Sequence, residues 1–500
     1  MKTNINRRTF LGSAVASGAF TLVPRRVLGA GGHVAPSEKI TLAHIGIGTQ
    51  CIREIGGLLA DPRLQIIAVC DPNKDSNNYV EWGKNNIRNR IRTYLDNPSW
   101  RENDSGCPGG REIGRKVVAA YYARERSAEK FDGCAAYADF REMLEQVKDL
   151  DAVKILTPDH QHATLAIAAM KKGKHVQLHK PIANTLHEGR LVIETARKTK
   201  VATHLLAYGS GSGNGRIAER IKQGVIGKLR EIHNWTNRPV WPQYTEIPKD
   251  RPPVPKGFDW DLWLGPSLSR PYHPHYTHTV YRGWYEFGGG SMADMGIYSL
   301  WPVFTGLDLD SPVSARAWAT HTCTIVDNVS QTVKNDFAYP TGCSLHFEFA
   351  AKGDTPALEL SWYDGGMKPR LPEDVEAHNI EMGREGILYV GDRGTIMAGF
   401  NGQDPRLFAN GQNKPLEMEE SPRDRGRGRR HEGWFEACKG GAPSPGSFLN
   451  AAAITDAVNL GTVALRAGKK VLFDSEKMKI TNDAEANKYL TRDYRPGWEL

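Results

Sequence analysis

The chain has 500 residues, 40% of them hydrophobic and 24% charged, which fits a globular protein of two or more domains. Its net charge of +8 is no nucleic-acid signature. Lys2, Arg7, Arg8, Arg25 and Arg26 stand in an acid-free N-terminal segment, and without them the balance is only about +3. Seven cysteines, an odd number with no C-x-x-C, indicate neither a disulfide framework nor a thiolate metal centre, and no metal site is expected.

The first segment reads as an address. Asn6-Arg7-Arg8-Thr9-Phe10-Leu11 is a twin-arginine pattern, Phe10 to Val23 is mildly apolar, and Gly29 and Ala30 offer a cleavage point. The apolar run is too short to span a bilayer, and no other segment is long and apolar enough. Residues 1–36 are therefore expected to be a leader and linker directing the folded protein to the periplasm.

From 37 to 208 the pattern alternates. Residues 40–46 form a short apolar run ending in glycine, a helical pattern follows through Ala60, and Leu64 to Asp71 is a second β-branched run. Residues 73–112, polar and rich in Asn and Arg, read as an insertion. Helical patterns over Arg115–Arg126, Phe140–Val147, Ala163–Lys172 and Leu186–Thr199 accompany buried-strand runs at Val153–Thr157, His175–Leu178 and Val201–Leu206. This alternation predicts a doubly wound parallel sheet.

From 209 to 500 the rhythm changes. Leu229–Asn237 alternates as a strand, 238–285 is loop-like and crowded with Pro, Trp, Tyr and His, and Gly288–Thr305 has helical periodicity. Strands then follow one another at Val313–Thr322, Gln331–Tyr339, Cys343–Ala350, Leu358–Trp362 and Ile387–Val390, which predicts an open, mostly antiparallel sheet. The Arg423–Arg430 run reads as a solvated loop rather than a phosphate patch. Helices are expected at His431–Cys438 and Ala451–Ala467.

Four constellations carry chemistry. Gly46-Ile47-Gly48-Thr49-Gln50-Cys51 sits where a strand turns into a helix. Gly46 permits the tight turn and Gly48 lets the backbone approach a pyrophosphate at the positive end of the helix. Cys51 replaces the third glycine of the usual fingerprint. Asp71, about 25 residues on, closes the next strand and can accept both ribose hydroxyls; it favours NAD over NADP, although nearby Lys74 leaves NADP open. Thr157-Pro158-Asp159-His160-Gln161-His162 and His179-Lys180-Pro181 end two further strands, the edge at which open α/β sheets bind ligands, so Thr157, Pro158, His162, His179 and Lys180 are candidate cofactor contacts. In the fourth constellation a glycine run, Gly288-Gly289-Gly290, opens a helix on which Asp294 and Tyr298 stand four apart and share a face, an arrangement suited to proton transfer with a hydroxyl.

Together these motifs resemble the glucose–fructose oxidoreductase/inositol dehydrogenase (Gfo/Idh/MocA) family, from about residue 38 to the C-terminus and most strongly over 40–71, 137–187, 282–300 and 451–500. The family's usual Glu-Lys-Pro is His179-Lys180-Pro181 here, and Tyr298 stands where His is commoner. The string Asp294-Met295-Gly296-Ile297-Tyr298 is closer to the glucose–fructose oxidoreductase-like, twin-arginine-exported branch.

The resemblance implies an N-terminal Rossmann domain followed by an α/β domain with an open sheet, assembly into a homodimer or homotetramer, and a tightly held nicotinamide cofactor. It implies hydride transfer to or from a hydroxyl carbon of a sugar, glycoside or polyol. Lys180 would polarise or deprotonate the hydroxyl, Tyr298 would relay the proton and Asp294 would orient the substrate, with Arg282 and Trp284 shaping the sugar pocket. Two alternatives stay open: an NAD-dependent glycosidase working by transient oxidation and elimination, and a non-catalytic carbohydrate-binding protein.

Overall fold

A computed structural model describes residues 38–127, 131–207, 213–418 and 432–500. The expected leader and the Arg423–Arg430 run lie outside the described residues.

The first sheet has six parallel strands. In chain order the strands and helices are β1 (Ile40–Ile45), α1 (Thr49–Ala60), β2 (Leu64–Cys70), a hairpin of β3 (Ser76–Tyr79) and β4 (Cys107–Gly109) enclosing α2 (Asn86–Leu95), then α3 (Arg111–Glu125), β5 (Ala135–Tyr137) and α4 (Phe140–Gln146). They continue with β6 (Ala152–Ile155), α5 (His162–Lys171), β7 (His175–Leu178), α6 (Leu186–Thr199) and β8 (Thr203–Leu205). The strand order β5-β2-β1-β6-β7-β8 reverses between β1 and β6, and a ligand crevice opens at such a reversal, beyond the carboxyl ends of the strands. β1, β6 and α5 are almost wholly buried, as expected of strands covered on both faces.

The segment read as a bare insertion is not structureless. Ile87 and Ile91 of α2 are fully buried against α1 and α3, so 73–112 extends the packed core of this unit.

After α7 (Gly213–Lys222) the chain enters a ten-stranded sheet, ordered β18-β17-β16-β15-β9-β14-β13-β10-β19-β20. Its centre is β9 (Leu229–Trp235), paired parallel with β14 (Leu358–Tyr363) and antiparallel with β15 (Gly386–Gly391). The other pairings, which bring in β10 (Ser314–Ala319), β13 (Cys343–Phe349), β16 (Thr395–Ala398), β17 (Arg406–Ala409), β18 (Gln412–Pro415), β19 (Val471–Asp474) and β20 (Lys479–Ile480), are antiparallel. At β13 one face is covered, since Cys343, Leu345, Phe347 and Phe349 are buried and the residues between them are not. At β15 both faces are covered: Ile387, Leu388 and Tyr389 are all buried, Leu388 in a second cluster with Trp235, Phe408 and Val375 of the short helix α10 (Glu373–Glu376).

The expected strand Gln331–Tyr339 does not form. Asp327 and Asn328 both take left-handed backbone angles, which makes a tight reversal, so β11 (Cys323–Val326) and β12 (Val329–Thr332) pair only with each other. The loop-like region 238–285 holds the short helix α8 (Trp260–Leu264) and 3-10 turns. The buried face of the sheet carries α9 (Ile297–Leu307) and α12 (Ala452–Ala467).

Two late segments return to the first unit. In α11 (Glu432–Cys438), Trp434 and Phe435 pack into its core, and β8 is tied down by Leu205 N–H donating to the Gly446 carbonyl at 2.8 Å. The tail crosses both units: Arg492 pairs with the fully buried Glu188 of α6 at 2.5 Å and donates to the His160 carbonyl at 2.7 Å. Removing one partner of a buried pair strands the other charge, at a cost of about 3–5 kcal/mol. Glu188→Ala should therefore lower the midpoint of thermal unfolding clearly; an unchanged midpoint would show that the tail does not clamp the units together.

Candidate active site

At the end of β1 the chain must turn within touching distance of the end of β6. Gly46 does so at φ +89°, and a Cβ there would fall 2.3 Å from the Leu156 carbonyl oxygen, so only glycine fits. Ile47 N–H donates to Asp71 Oδ2 at 2.6 Å, which locks the turn to the end of β2. α1 begins after Gly48 with no side-chain cap, and Ile52 N–H is the first to bond back, to the Gly48 carbonyl. The backbone donors ahead of it are left for a ligand at the helix's positive end.

Gly46 lines a cavity with Gly48, Gln50, Cys51, Asp71, Thr157, Pro158, His179, Lys180 and Arg282, whereas the Ile47 side chain, expected beside the cofactor, is fully buried and does not reach it. Asp71 is buried and accepts from Ile47 N–H and, at 2.8 Å, from Asn73 N–H; burial raises its pKa to about 6 against the pull of those two bonds. The Thr157 hydroxyl is buried with no hydrogen-bond partner. An uncapped helix start, a carboxylate closing β2 and an orphaned hydroxyl across the crevice together fit a dinucleotide.

The cavity has a roof that the sequence did not reveal. The Tyr79 ring, from the insertion, lies against Gly48 and meets the His278 ring at 4.0 Å between centroids. Phe258, Trp263, Thr279 and Tyr281 complete the cover from the aromatic loop.

Lys180, at the carboxyl end of β7, is 3% exposed, and its ammonium donates to Asp294 Oδ1 at 2.5 Å. Arg282 Nε stands 3.2 Å from the same oxygen. Burial pushes the Lys180 pKa down, and the Asp294 charge opposes it. Burial would raise Asp294, but Lys180 and Arg282 hold it well below the usual carboxylate range. Asp294 lies in a π-helical turn, Met292–Gly296, which leads into α9. One turn on, the Tyr298 ring centre is 5.2 Å from the Lys180 ammonium, and its hydroxyl meets His179 Nε2 at 3.3 Å. Lys180, Asp294 and Tyr298, distant in sequence, thus form one cluster with His179 and Arg282.

Two expected contacts belong elsewhere. His162 does not line the cavity: it is buried, with Nδ1 2.6 Å from the Pro181 carbonyl and Nε2 3.0 Å from that of Thr157. Burial keeps this ring neutral, so it donates only one of these bonds and braces the two strand-end loops. Trp284 is buried among Tyr244, Tyr276 and Phe337 and donates to the His275 carbonyl at 2.7 Å, which makes it part of the aromatic core and not a sugar platform.

Sequence reasoning missed Glu54 and Lys154. Lys154 is fully buried in β6, and its ammonium reaches Glu54 Oε2 at 2.9 Å. Glu54 Oε1 lies 3.6 Å from His179 Nε2, the same ring nitrogen that the Tyr298 hydroxyl meets. Burial lowers the His179 pKa, and Glu54 opposes the fall. The signal was a lysine within the apolar run Ala152–Ile155, which demands a buried carboxylate.

Comparison with known proteins agrees with this geometry. A family model described as the oxidoreductase family, NAD-binding Rossmann fold (Gfo/Idh/MocA), matches residues 40–206, and the same family's C-terminal alpha/beta domain model matches 224–367 and 447–500. The chain is 30% identical to levoglucosan dehydrogenase of Pseudarthrobacter phenanthrenivorans over 137 residues, which is 26% of this chain and 35% of that protein. It is 33% identical to a glycosyl hydrolase family 109 protein of a Shewanella species over 91 residues, 18% of this chain and 20% of the relative. Its fold is like that of the WlbA dehydrogenase from Bordetella pertussis, solved with NADH and UDP-GlcNAcA, with a TM-score of 0.52 at 14% identity over 87% of this chain and 99% of that one.

The raised Asp71 pKa gives a test of the cofactor site. A ligand whose hydroxyls need the ionised carboxylate should bind more weakly as pH falls below about 6, by up to about tenfold per unit, and evenly above pH 7. Calorimetric titration with NAD should show this slope in the wild type and lose it in Asp71→Asn. A slope that persists in the variant would remove Asp71 from the cofactor contact.

Proposed function

Because the chain belongs to the Gfo/Idh/MocA oxidoreductase family, we propose that it transfers hydride between a nicotinamide and a hydroxyl carbon of a sugar, glycoside or polyol, in the manner of the glucose–fructose oxidoreductase-like branch. One observation carries this reading: a buried lysine, held by a carboxylate from the second unit, lines the same cavity as the glycine turn and Asp71.

The backbone at Gly46–Cys51 would hold the pyrophosphate, Asp71 the adenosine ribose, and Thr157 with Pro158 the wall beside the nicotinamide. Bound there, the nicotinamide supplies the hydride acceptor. Lys180 hydrogen-bonds the substrate hydroxyl and, with its pKa lowered by burial, takes the hydroxyl proton as the C–H bond is broken. Asp294 is spent on Lys180 and Arg282, so it fixes the base and acts on the substrate only through it. Tyr298, beside the lysine, would relay the proton towards His179 Nε2, where Glu54, on the same nitrogen, offsets the charge.

The Asp71 carboxylate repels a 2′-phosphate, which supports NAD over NADP. The twin-arginine pattern supports export to the periplasm, and a cofactor carried there must be held tightly and recycled within one catalytic cycle. The face of the ten-stranded sheet left open at β10 and β13, with Trp318 54% exposed, supports assembly into a homodimer or homotetramer. The likeness to a glycosyl hydrolase family 109 protein favours a second reading on the same residues, glycoside cleavage with NAD used catalytically.

In rapid-mixing experiments that follow reduced-nicotinamide absorbance, Lys180→Ala and Tyr298→Phe should each slow reduction by about 10²–10⁴-fold while leaving NAD binding largely intact. Their effects should not multiply in the double variant. A Tyr298→Phe protein as fast as wild type would make Tyr298 a packing residue. Release of free sugar from a glycoside without net reduction would favour the second reading. Replacing Arg7 and Arg8 together by Lys should leave the precursor in the cytoplasm; equal periplasmic recovery would sink the export assignment.

A further inference from the structure

A second, open cavity is lined by Asn237, Arg238, Arg384, Glu385, Phe400 and Gln403, among others. The sheet itself builds it. β9 and β15 run antiparallel with Trp235 opposite Gly386, so the residues just after β9 and those just before β15 emerge at the same end. Its far wall is tied to the start of α9, because the Phe400 carbonyl accepts from Ser299 Oγ at 2.5 Å, next to Tyr298.

The polar groups at this end are lopsided. Glu385 is engaged by Thr236 Oγ1 at 2.5 Å and by the Asn237 amide nitrogen at 3.1 Å, and the Asn237 oxygen accepts from Arg384 Nη2 at 2.5 Å. Arg238 is different. Its guanidinium makes no ion pair among the described residues, and its Nε is buried without an acceptor. So is the indole N–H of Trp241, three residues on, whose ring lies 5.9 Å from the Arg282 guanidinium carbon. The Arg238 charge reaches Asp294 and helps to hold that carboxylate ionised. Trp241 does not line the cavity but Arg238 does, and an orphaned buried donor calls for an acceptor. Two guanidinium groups lining one cavity suit a planar anion.

We propose that this cavity binds a carboxylate on the substrate, so that the enzyme's natural substrate class is acidic sugars: the reacting hydroxyl carbon sits at Lys180 and the carboxylate lies between Arg238 and Arg384. The inference rests on the sugar-oxidoreductase reading and narrows it. Glu385, already occupied by Thr236 and Asn237, holds Arg384 in place through Asn237 and leaves the cavity with an excess of positive charge.

The test uses the full chain supplied with NAD and matched pairs of probes, methyl glucoside with methyl glucuronide and methyl galactoside with methyl galacturonide, followed by reduced-nicotinamide absorbance. In at least one pair the acid should have a kcat/KM tenfold or more above its neutral partner. Arg238→Gln and, separately, Arg384→Gln should bring that ratio down by about 10–100-fold, chiefly through KM, and Arg238→Lys should keep part of it. Calorimetric binding of the preferred acid should weaken in parallel, and circular dichroism identifies any variant that fails to fold. If neutral members react as well as or better than acids, or if the ratio survives in both folded Gln variants, the proposal is overturned while the oxidoreductase reading stands. If no probe of either kind reduces the nicotinamide, both fall.

Discussion

A lysine and an aspartate from two different units meet out of water, and much of the rest of the structure serves that contact. A buried ion pair recovers its desolvation cost only when its geometry is tightly fixed. Lys180 is fixed by the end of β7, and Asp294 by the π-helical turn that opens α9. The turn packs on the sheet: a Cβ on Gly296 would lie 3.3 Å from the ring of Trp362, itself fully buried. Arg282 adds a second cation on the same oxygen, so the carboxylate stays charged and the lysine has a permanent partner. Glu54 and Lys154 repeat the motif one layer deeper, under His179. The units that supply these charges are held together by the returning tail, where Arg492 clasps Glu188, and by α11 packed on the first unit.

The cofactor crevice follows from topology, and its roof follows from additions to that topology. The strand order places Gly46 and Thr157 on either side of the reversal between β1 and β6. The hairpin of β3 and β4 brings Tyr79 over Gly48, and the aromatic loop brings His278 to meet it. Lys74 N–H donates to the Gly257 carbonyl at 2.8 Å, which stitches insertion and loop together. A crevice covered from both sides suits a cofactor that stays in place through many turnovers.

The parallel unit was legible because local signals agreed with tertiary context. The helix read at Leu186–Thr199 has those bounds: Thr185 caps it by accepting from Glu188 N–H, and Lys200 ends it in a left-handed conformation. The strand at His175–Leu178 is equally faithful. Where the sequence misled, the deciding facts were nonlocal. Gln331–Tyr339 has the composition of a strand, but the reversal at Asp327–Asn328 uses its start for a separate hairpin. His162 and Trp284 stand next to site residues in the chain, yet both point into packed interior, because adjacency in sequence does not fix the direction of a side chain at a strand or helix end. The partnership of Glu54, Lys154 and His179 joins α1, β6 and β7 and could be inferred only as a demand for some carboxylate.

In the proposed reaction Lys180 is a base whose pKa is lowered by burial and held up by the Asp294 charge. The most direct measurement is the pH dependence of the single-turnover rate of nicotinamide reduction in wild type and in Asp294→Asn. The Asp294 charge raises the Lys180 pKa, so its removal should lower that pKa, and the limb on which the rate climbs with pH should move to lower pH in the variant, with a reduced plateau. A limb that stays in place or moves to higher pH would show that the proton is taken by another group and would contradict the assignment of Lys180.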